Sequence, residues 1–336
     1  MELNNSTTDI SESNFPHIRL NSDSVLTYLV LIFKLILNPV LGVVGVCANA
    51  INVVVFFKMG LSSGVTQNFF ILSISDALLA VSGVVNSSAY ASELILRACR
   101  GHRGSAVKAQ LVYRLSFYAP PFFQSISTTT TVVIAVVRCC CVTMPLQIKA
   151  VITARRQLAA ILLFSLLSWS GLLYAFSPLR VTYREDAQTN RTSANVEGSR
   201  RLVFVVVTNA IFFVSFLTLV GCVVILSISL KRSSKFRSVA ACRQASSTFS
   251  DQRETRTIKT VVMVCIIYTA CNSIYAVYTV LVIAGVGFGP QGMYDNYKSF
   301  GIILGETAAL TNVAVNIFVY FFYNTRYRNE LRAMIR

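Results

Sequence analysis

Seven stretches of this chain are apolar for long enough to cross a bilayer, and nothing else in the sequence limits its fold as tightly. A spanning helix needs roughly 20 residues and satisfies its backbone internally, which lipid demands and open loops cannot meet. The stretches run near residues 25–57, 68–92, 111–143, 155–178, 202–230, 257–286 and 299–323. A short piece follows, 325–335, in which Leu331, Met334 and Ile335 alternate with Arg328 and Arg332. That pattern predicts a helix lying on the anionic inner leaflet. The predicted fold is therefore all-α: a seven-transmembrane helix bundle over 25–323, preceded by an outer tail (1–24) and followed by a short cytoplasmic amphipathic helix and tail (324–336).

Composition excludes most other classes. Only 13% of the 336 residues are charged and 54% are apolar, against roughly 25% charged in soluble domains. The net charge of +16 resides in short loops between apolar runs and forms no single basic face. The expected contact is thus the lipid bilayer and not nucleic acid. The first 24 residues are polar and acidic and lack the basic and apolar regions of a signal peptide, so the first span is expected to direct insertion. No metalloprotease, nucleotide-binding or hydrolase motif occurs, and an enzyme is not expected.

The loops set the orientation. Lys58, the stretch from Arg138 to Arg156, the run of basic residues from Lys231 to Lys259 and the four arginines of 326–336 all fall on one side. That side is predicted to be cytoplasmic and the N-terminus extracellular, in the plasma membrane. Sequons at Asn4, Asn5 and Asn190 lie on the outer side and are glycosylation candidates; the sequon at Asn86 falls inside a span and is expected to be unused. The outer loop after the second span departs from the rule with Arg97, Arg100, Arg103, Lys108 and Arg114. Of nine cysteines only Cys99 is placed outside, so no intrachain extracellular disulfide is expected, and Cys139, Cys140, Cys141 and Cys242 are placed on the cytoplasmic side.

The third span carries the most informative polar pattern, STTTTVVIAVVRCCCVTMPLQIK from Ser127 to Lys149. An arginine in hydrocarbon costs about 3 kcal/mol, so Arg138 belongs at a water-facing helix end. Ser127 lies eleven residues earlier, about three turns, so with Thr131 it forms one inward polar stripe. Asp76, in mid-span, needs partners, and Asn312 and Asn316 lie one turn apart on a common face.

These residues, in this order, resemble a rhodopsin-like (class A) G protein-coupled receptor. The resemblance is carried by Gly45 to Asn49, Leu72 to Asp76, Arg138 with Pro145, the only tryptophan, Trp169, and the run Asn316 to Tyr320 ahead of the terminal helix. The phrases FFILSISD, RCCCVTMPL, LKRSSKFR and VNIFVYFFYNTRYR are similar to molluscan chemosensory receptors and FMRFamide-type peptide receptors. The resemblance implies an extracellular small-molecule or peptide ligand, a heterotrimeric G protein, and arrestin and receptor kinases as partners. It further implies coupling through Arg138 and Tyr320, and a polar core of Asn49, Asp76, Ser127, Asn312 and Asn316 able to take an allosteric sodium ion at Asp76. An ordinary interhelical hydrogen-bond net around a protonated Asp76 and Asn49 remains open beside the sodium reading.

Several positions depart from that pattern. Val137 replaces the acid that usually pairs with the arginine, so Glu254 is the expected inner lock for Arg138. Asn272 stands where a tryptophan is usual, Ile317 and Phe213 replace prolines, and Tyr113 replaces the outer cysteine. Pro120 and Pro121 are predicted to bend the outer third span, because proline removes an N–H and clashes with the preceding turn. They are ligand-cavity candidates with Lys34, Arg114, Gln124, Asn272 and Glu306. Lys34 and Glu306 are also expected to neutralise one another across the first and seventh spans. Phosphorylation is expected at Ser246 and Ser247, since no serine lies in 325–336. A neuropeptide receptor is the nearest alternative. A seven-span transporter or pump is the distant one, disfavoured because the last span lacks the lysine a retinal pump would need.

Overall fold

The computed structural model describes residues 25–99, 103–144, 153–176, 179–186, 191–198, 201–240, 248–283 and 295–335. Helix α1 (Val25–Met59) leads into α2 (Gly64–Ala98), and the third span is built from two helices, α3 (Arg103–Ser116) and α4 (Ala119–Thr143). Next come α5 (Ala154–Phe176), strands β1 (Leu179–Asp186) and β2 (Arg191–Gly198), α6 (Arg201–Ala240), α7 (Thr248–Ile283), α8 (Asp295–Tyr323) and α9 (Thr325–Ile335). Among the described residues six helical stretches meet the length and composition of a membrane span, and the 23-residue α5, fourth in chain order, brings the long helical stretches to seven. The fold is the expected helical bundle, with α9 as its terminal amphipathic helix.

Packing follows chain order. Helix α2 lies between α1 and α4, α4 packs on α5, α6 and α7, and α8 returns to lie against α7 and α1. Close approach of α1 depends on glycine: a Cβ on Gly42 would fall 2.6 Å from Val84 Cγ2, and one on Gly45 3.1 Å from Val313. Gly60, at φ +84°, stops α1, its N–H bonding the Phe57 carbonyl at 3.0 Å. Towards the C-terminal ends of α1 and α8, Phe56, Phe69, Tyr320 and Tyr327 pack ring on ring, with Phe56 5.0 Å from Tyr320 and 5.2 Å from Tyr327. This cluster joins α1, α2, α8 and α9 in one core.

Four details differ from the sequence reading. Pro120 and Pro121 occupy the first turn of α4, so the third span is broken at Phe117–Tyr118 and not merely bent. Two successive missing N–H groups leave no ladder to carry the helix through. Arg103 to Ser116, read as the outer loop and the start of the span, form the helix α3, which packs on α2 and β2. Arg114 is consequently buried in that helix and is not a loop residue. Beyond the expected helices, Leu179–Asp186 and Arg191–Gly198 form an antiparallel hairpin pairing Leu179 with Gly198 and Asp186 with Arg191. The third inner loop is mostly helical extension, because α6 runs on to Ala240 and α7 begins at Thr248.

Candidate functional site

The half of the bundle that holds the N-terminal part of α1 is organised by a distortion in that helix. Residues Phe33–Leu37 form a π-helical turn, a geometry often found at functional sites, and it carries Lys34. Lys34 is only 2% exposed; its Nζ donates to Glu306 Oε2 at 2.6 Å and to Asn86 Oδ1. The ring of Tyr113 lies 5.9 Å from the ammonium, within cation–π range. Asn86 Nδ2 in turn donates to Ser116 Oγ, tying α2 to α3 beside the proline break. One turn below, Thr307 Oγ1 donates to Asn38 Oδ1 at 2.6 Å. Glu306 remains 24% exposed, so its carboxylate is less enclosed than the Lys34 ammonium.

The sequence suggested the Lys34 and Glu306 pairing; it did not suggest Asn86, whose sequon drew attention away from its amide. Glu93 pairs with Arg97 one turn on in α2, and Arg114 lies in electrostatic reach of Glu93. Basic residues of this region are thus partly spent within the fold.

Within the bundle, Asp76 is fully buried and accepts hydrogen bonds from Ser127 Oγ at 2.6 Å and Asn316 Nδ2 at 2.8 Å. These bonds link α2, α4 and α8. Asn312 is buried on the same α8 face, and the carbonyl oxygens of Asn312 and Asn316 have no hydrogen-bond partner. Asn49 does not bond Asp76. Its Nδ2 donates to the carbonyls of Gly45 and Val313, at 2.9 and 3.0 Å, because α1 meets α8 at that level. The alternative net between Asp76 and Asn49 is not formed, and the hydrogen bonds of Asp76 run to Ser127 and Asn316.

Between this core and the outer half lies a contact no motif announced. Thr128 and Tyr268 hydroxyls are 2.6 Å apart, joining α4 to α7, and Gln124 lies beside the same hydroxyl. Asn272 turns back on its own helix, Nδ2 donating to the Tyr268 carbonyl at 2.8 Å. Trp169 Nε1 donates to the Phe122 carbonyl at 3.1 Å, holding α5 on the first turns of α4.

Arg138 is half-buried in the last turns of α4. The side chain of Glu254 lies outside the described residues, as do Asn4, Asn5, Asn190, Ser246 and Ser247. Tyr320 is fully buried in the aromatic cluster and its hydroxyl has no hydrogen-bond partner. Cys139, read as facing the cytoplasm, is buried instead, its Sγ 3.5 Å from the Cys222 carbonyl, because α6 packs over that face of α4. Cys140 and Cys141 are partly exposed. Asn68 Nδ2 donates to Gln157 Oε1 at 2.6 Å, a bond between α2 and α5 that single polar residues in apolar runs could have signalled.

The helical bundle thus carries a buried ion pair towards one end, a buried carboxylate further in, and an arginine in the last turns of α4. No individual curated protein matches the chain. Residues 36–336 match the profile described as "Serpentine type 7TM GPCR chemoreceptor Srw". That family consists of receptors and not enzymes. Because the match takes in nearly the whole bundle, the chain belongs to the Srw family of serpentine seven-transmembrane chemoreceptors.

Proposed function

We propose that this protein lies in the plasma membrane with its N-terminus outside, detects an extracellular chemical ligand, and activates a heterotrimeric G protein. What supports this reading is a succession of buried polar contacts at different depths of one bundle. Lys34 and Glu306 occupy the outer half, Asp76 the centre, and Arg138 and Tyr320 the inner end. An ionisable group inside a membrane is retained against its insertion cost chiefly where function needs it. The ligand enters from the outer mouth, near Glu306 and the proline break, and shifts the balance between two helix arrangements by binding one of them better. The motif order supports a rhodopsin-like layout, and the four phrases quoted above support kinship with molluscan chemosensory receptors.

The oxygen set at Asp76 fits a small hard cation. It comprises a carboxylate, the Ser127 hydroxyl and the amide oxygens of Asn312 and Asn316, the last two without protein partners. These residues would hold a sodium ion, which supplies charge neutralisation when bound. Asp76 and Ser127 then fix α2 against α4. The test is thermal unfolding of the purified receptor in sodium against choline chloride: wild type is stabilised by sodium and Asp76→Asn is not. Equal melting of wild type in both salts refutes the ion site.

Inside, Arg138 and Glu254 form the resting lock, and arrestin is recruited through receptor-kinase phosphorylation at Ser246 and Ser247. The deciding experiment expresses the chain with an N-terminal tag, checks the tag on intact cells, and screens waterborne small molecules and peptides with calcium and cAMP readouts. A response to small molecules supports the chemosensory reading. One confined to FMRFamide-like peptides moves it to a neuropeptide receptor, and a flat response at verified surface expression refutes ligand-driven coupling.

A further inference from the structure

Three thiols from three helices meet in the apolar core near the end of α4 that carries Arg138. Cys139 of α4, Cys222 of α6 and Cys265 of α7 belong to one buried cluster, with 7%, 7% and 0% of their surface exposed. Cys139 Sγ donates to the Cys222 carbonyl at 3.5 Å, and the two thiols are themselves in hydrogen-bond contact. Cys265 lies in electrostatic reach of both.

A buried cysteine is ordinarily a small apolar side chain and nothing more. Two features set Cys139 and Cys222 apart. Their sulfurs touch across two helices, 83 residues apart in sequence, so a bond of about 2 Å between them asks each sulfur to move by only about 1 Å. Neither thiol is fully sealed, whereas Cys265 is, and a Cβ added at Gly221, next to Cys222, would meet no atom within 4 Å. That flank of α6 carries no shielding side chain. A two-oxygen oxidant that enters lipid reaches such a pair, and a bulky thiol reductant does so poorly, so a disulfide once formed there persists.

We propose that Cys139 and Cys222 are a modification site, a thiol pair that hydrogen peroxide converts into a disulfide stapling α4 to α6, and that the staple suppresses G protein coupling. The second half rests on the G protein reading above. One thiol gives up its proton and its sulfur attacks a peroxide oxygen; the O–O bond breaks, water leaves and a sulfenic acid forms. The sulfur of the other thiol attacks the sulfenic sulfur, the S–S bond forms, and the displaced hydroxide leaves as a second water with the remaining thiol proton. Two thiols lose two electrons and one peroxide gains them. Cys265 is a bystander. The bond fixes α4, one residue past Arg138, to α6, so the two helices no longer slide or part at that level.

The experiment uses the full-length receptor in lipid nanodiscs, with Cys140→Ser and Cys141→Ser so that the tryptic peptide after Arg138 holds Cys139 as its only cysteine. This parent chain is compared with the same chain bearing Cys222→Ala or Cys265→Ala, and it alone decides if Cys222→Ala does not fold. Hydrogen peroxide is added and then removed with catalase, remaining thiols are alkylated, and peptide masses read the linked pairs. Nucleotide exchange on added heterotrimeric G protein, without ligand, reads coupling before oxidation, after it and after dithiothreitol. The Cys139–Cys222 link should form in the parent and in Cys265→Ala and be absent from Cys222→Ala. Coupling of the parent should fall by about fivefold or more on oxidation and return with dithiothreitol, and that of Cys222→Ala should not respond to peroxide. Absence of the link in the parent, or a link from either thiol to Cys265 in its place, overturns the proposal; so does a link that leaves coupling unchanged. Failure of the G protein reading looks different, since the reduced receptor would then stimulate no nucleotide exchange above empty nanodiscs, and the peptide masses alone would decide the site.

Discussion

Glu306→Gln tests the outer pair most directly, because the structure makes its two partners unequal. Lys34 is 2% exposed and Glu306 24%. Turning the carboxylate into an amide leaves an ammonium that water cannot reach without a counter-charge, its remaining partners, Asn86 Oδ1, the face of Tyr113 and the new amide oxygen, all being neutral. Stranding one member of a buried pair typically costs about 3–5 kcal/mol. Lys34→Met leaves instead a carboxylate with an accessible face, which can hydrate, and the methionine fills the lysine's apolar volume; about 1–3 kcal/mol is expected. The double variant buries no charge and should fall within about 1 kcal/mol of wild type. Surface expression by flow cytometry and thermal unfolding of solubilised receptor measure all four chains. The expected order is Glu306→Gln lowest, Lys34→Met intermediate, and the double variant near wild type. If Glu306→Gln reaches the surface and melts like wild type while losing agonist potency, the pair is not structural and the carboxylate serves the ligand. A Lys34→Met variant more damaged than Glu306→Gln would refute the reasoning from burial.

Other perturbations follow from single contacts. Thr128→Val removes one of the two partners of the Tyr268 hydroxyl, leaving Gln124 beside it, and should destabilise by about 0.5–1.5 kcal/mol, with Tyr268→Phe in the Thr128→Val chain costing less than in wild type; strictly additive losses would mean the two hydroxyls are not coupled. Gly42→Ala drives a Cβ to 2.6 Å from Val84 Cγ2 and should destabilise by about 1–3 kcal/mol in thermal unfolding. Gly60→Ala meets open space but a positive φ and should lose about 1–2 kcal/mol from backbone strain alone. Glu254→Ala should raise basal signalling at matched surface expression, a surface pair being worth about 1 kcal/mol; unchanged basal activity removes Glu254 from the lock. Deleting the chain after Thr325 should leave phosphorylation intact, since Ser246 and Ser247 remain, and phosphate found only at Thr325 would contradict that assignment.

The elements themselves were legible because lipid leaves so few choices. Runs of apolar length must be helices, so the seven spans and the amphipathic piece from Thr325 to Ile335 follow from pattern alone. The pairing of Lys34 with Glu306 was readable for the same reason, as opposite charges in two apolar runs seek one another. What pattern did not convey is the continuity of elements across polar segments. Helix α6 continues through LKRSSKFR because these residues tolerate a helix in water as well as they tolerate a loop. The break at Phe117–Tyr118 was half-legible: two prolines announce a disturbance, and only neighbours decide between a bend and a new helix.

Sequence by itself determined the class of this protein, its spans and the identity of its intramembrane charges, because each rests on the transfer of side chains and backbone between water and hydrocarbon. Partner choice was decided by tertiary structure. Asn49 bonds Val313 and Asn52 and not Asp76, Asp76 bonds Ser127 and Asn316, and Asn52 receives the hydroxyl of Tyr327, 275 residues away. A buried amide or carboxylate must find some partner, and that demand is local. Which partner it finds depends on how closely two helices approach and at what rotation, and at α1 that is set by glycines packed against Val84 and Val313.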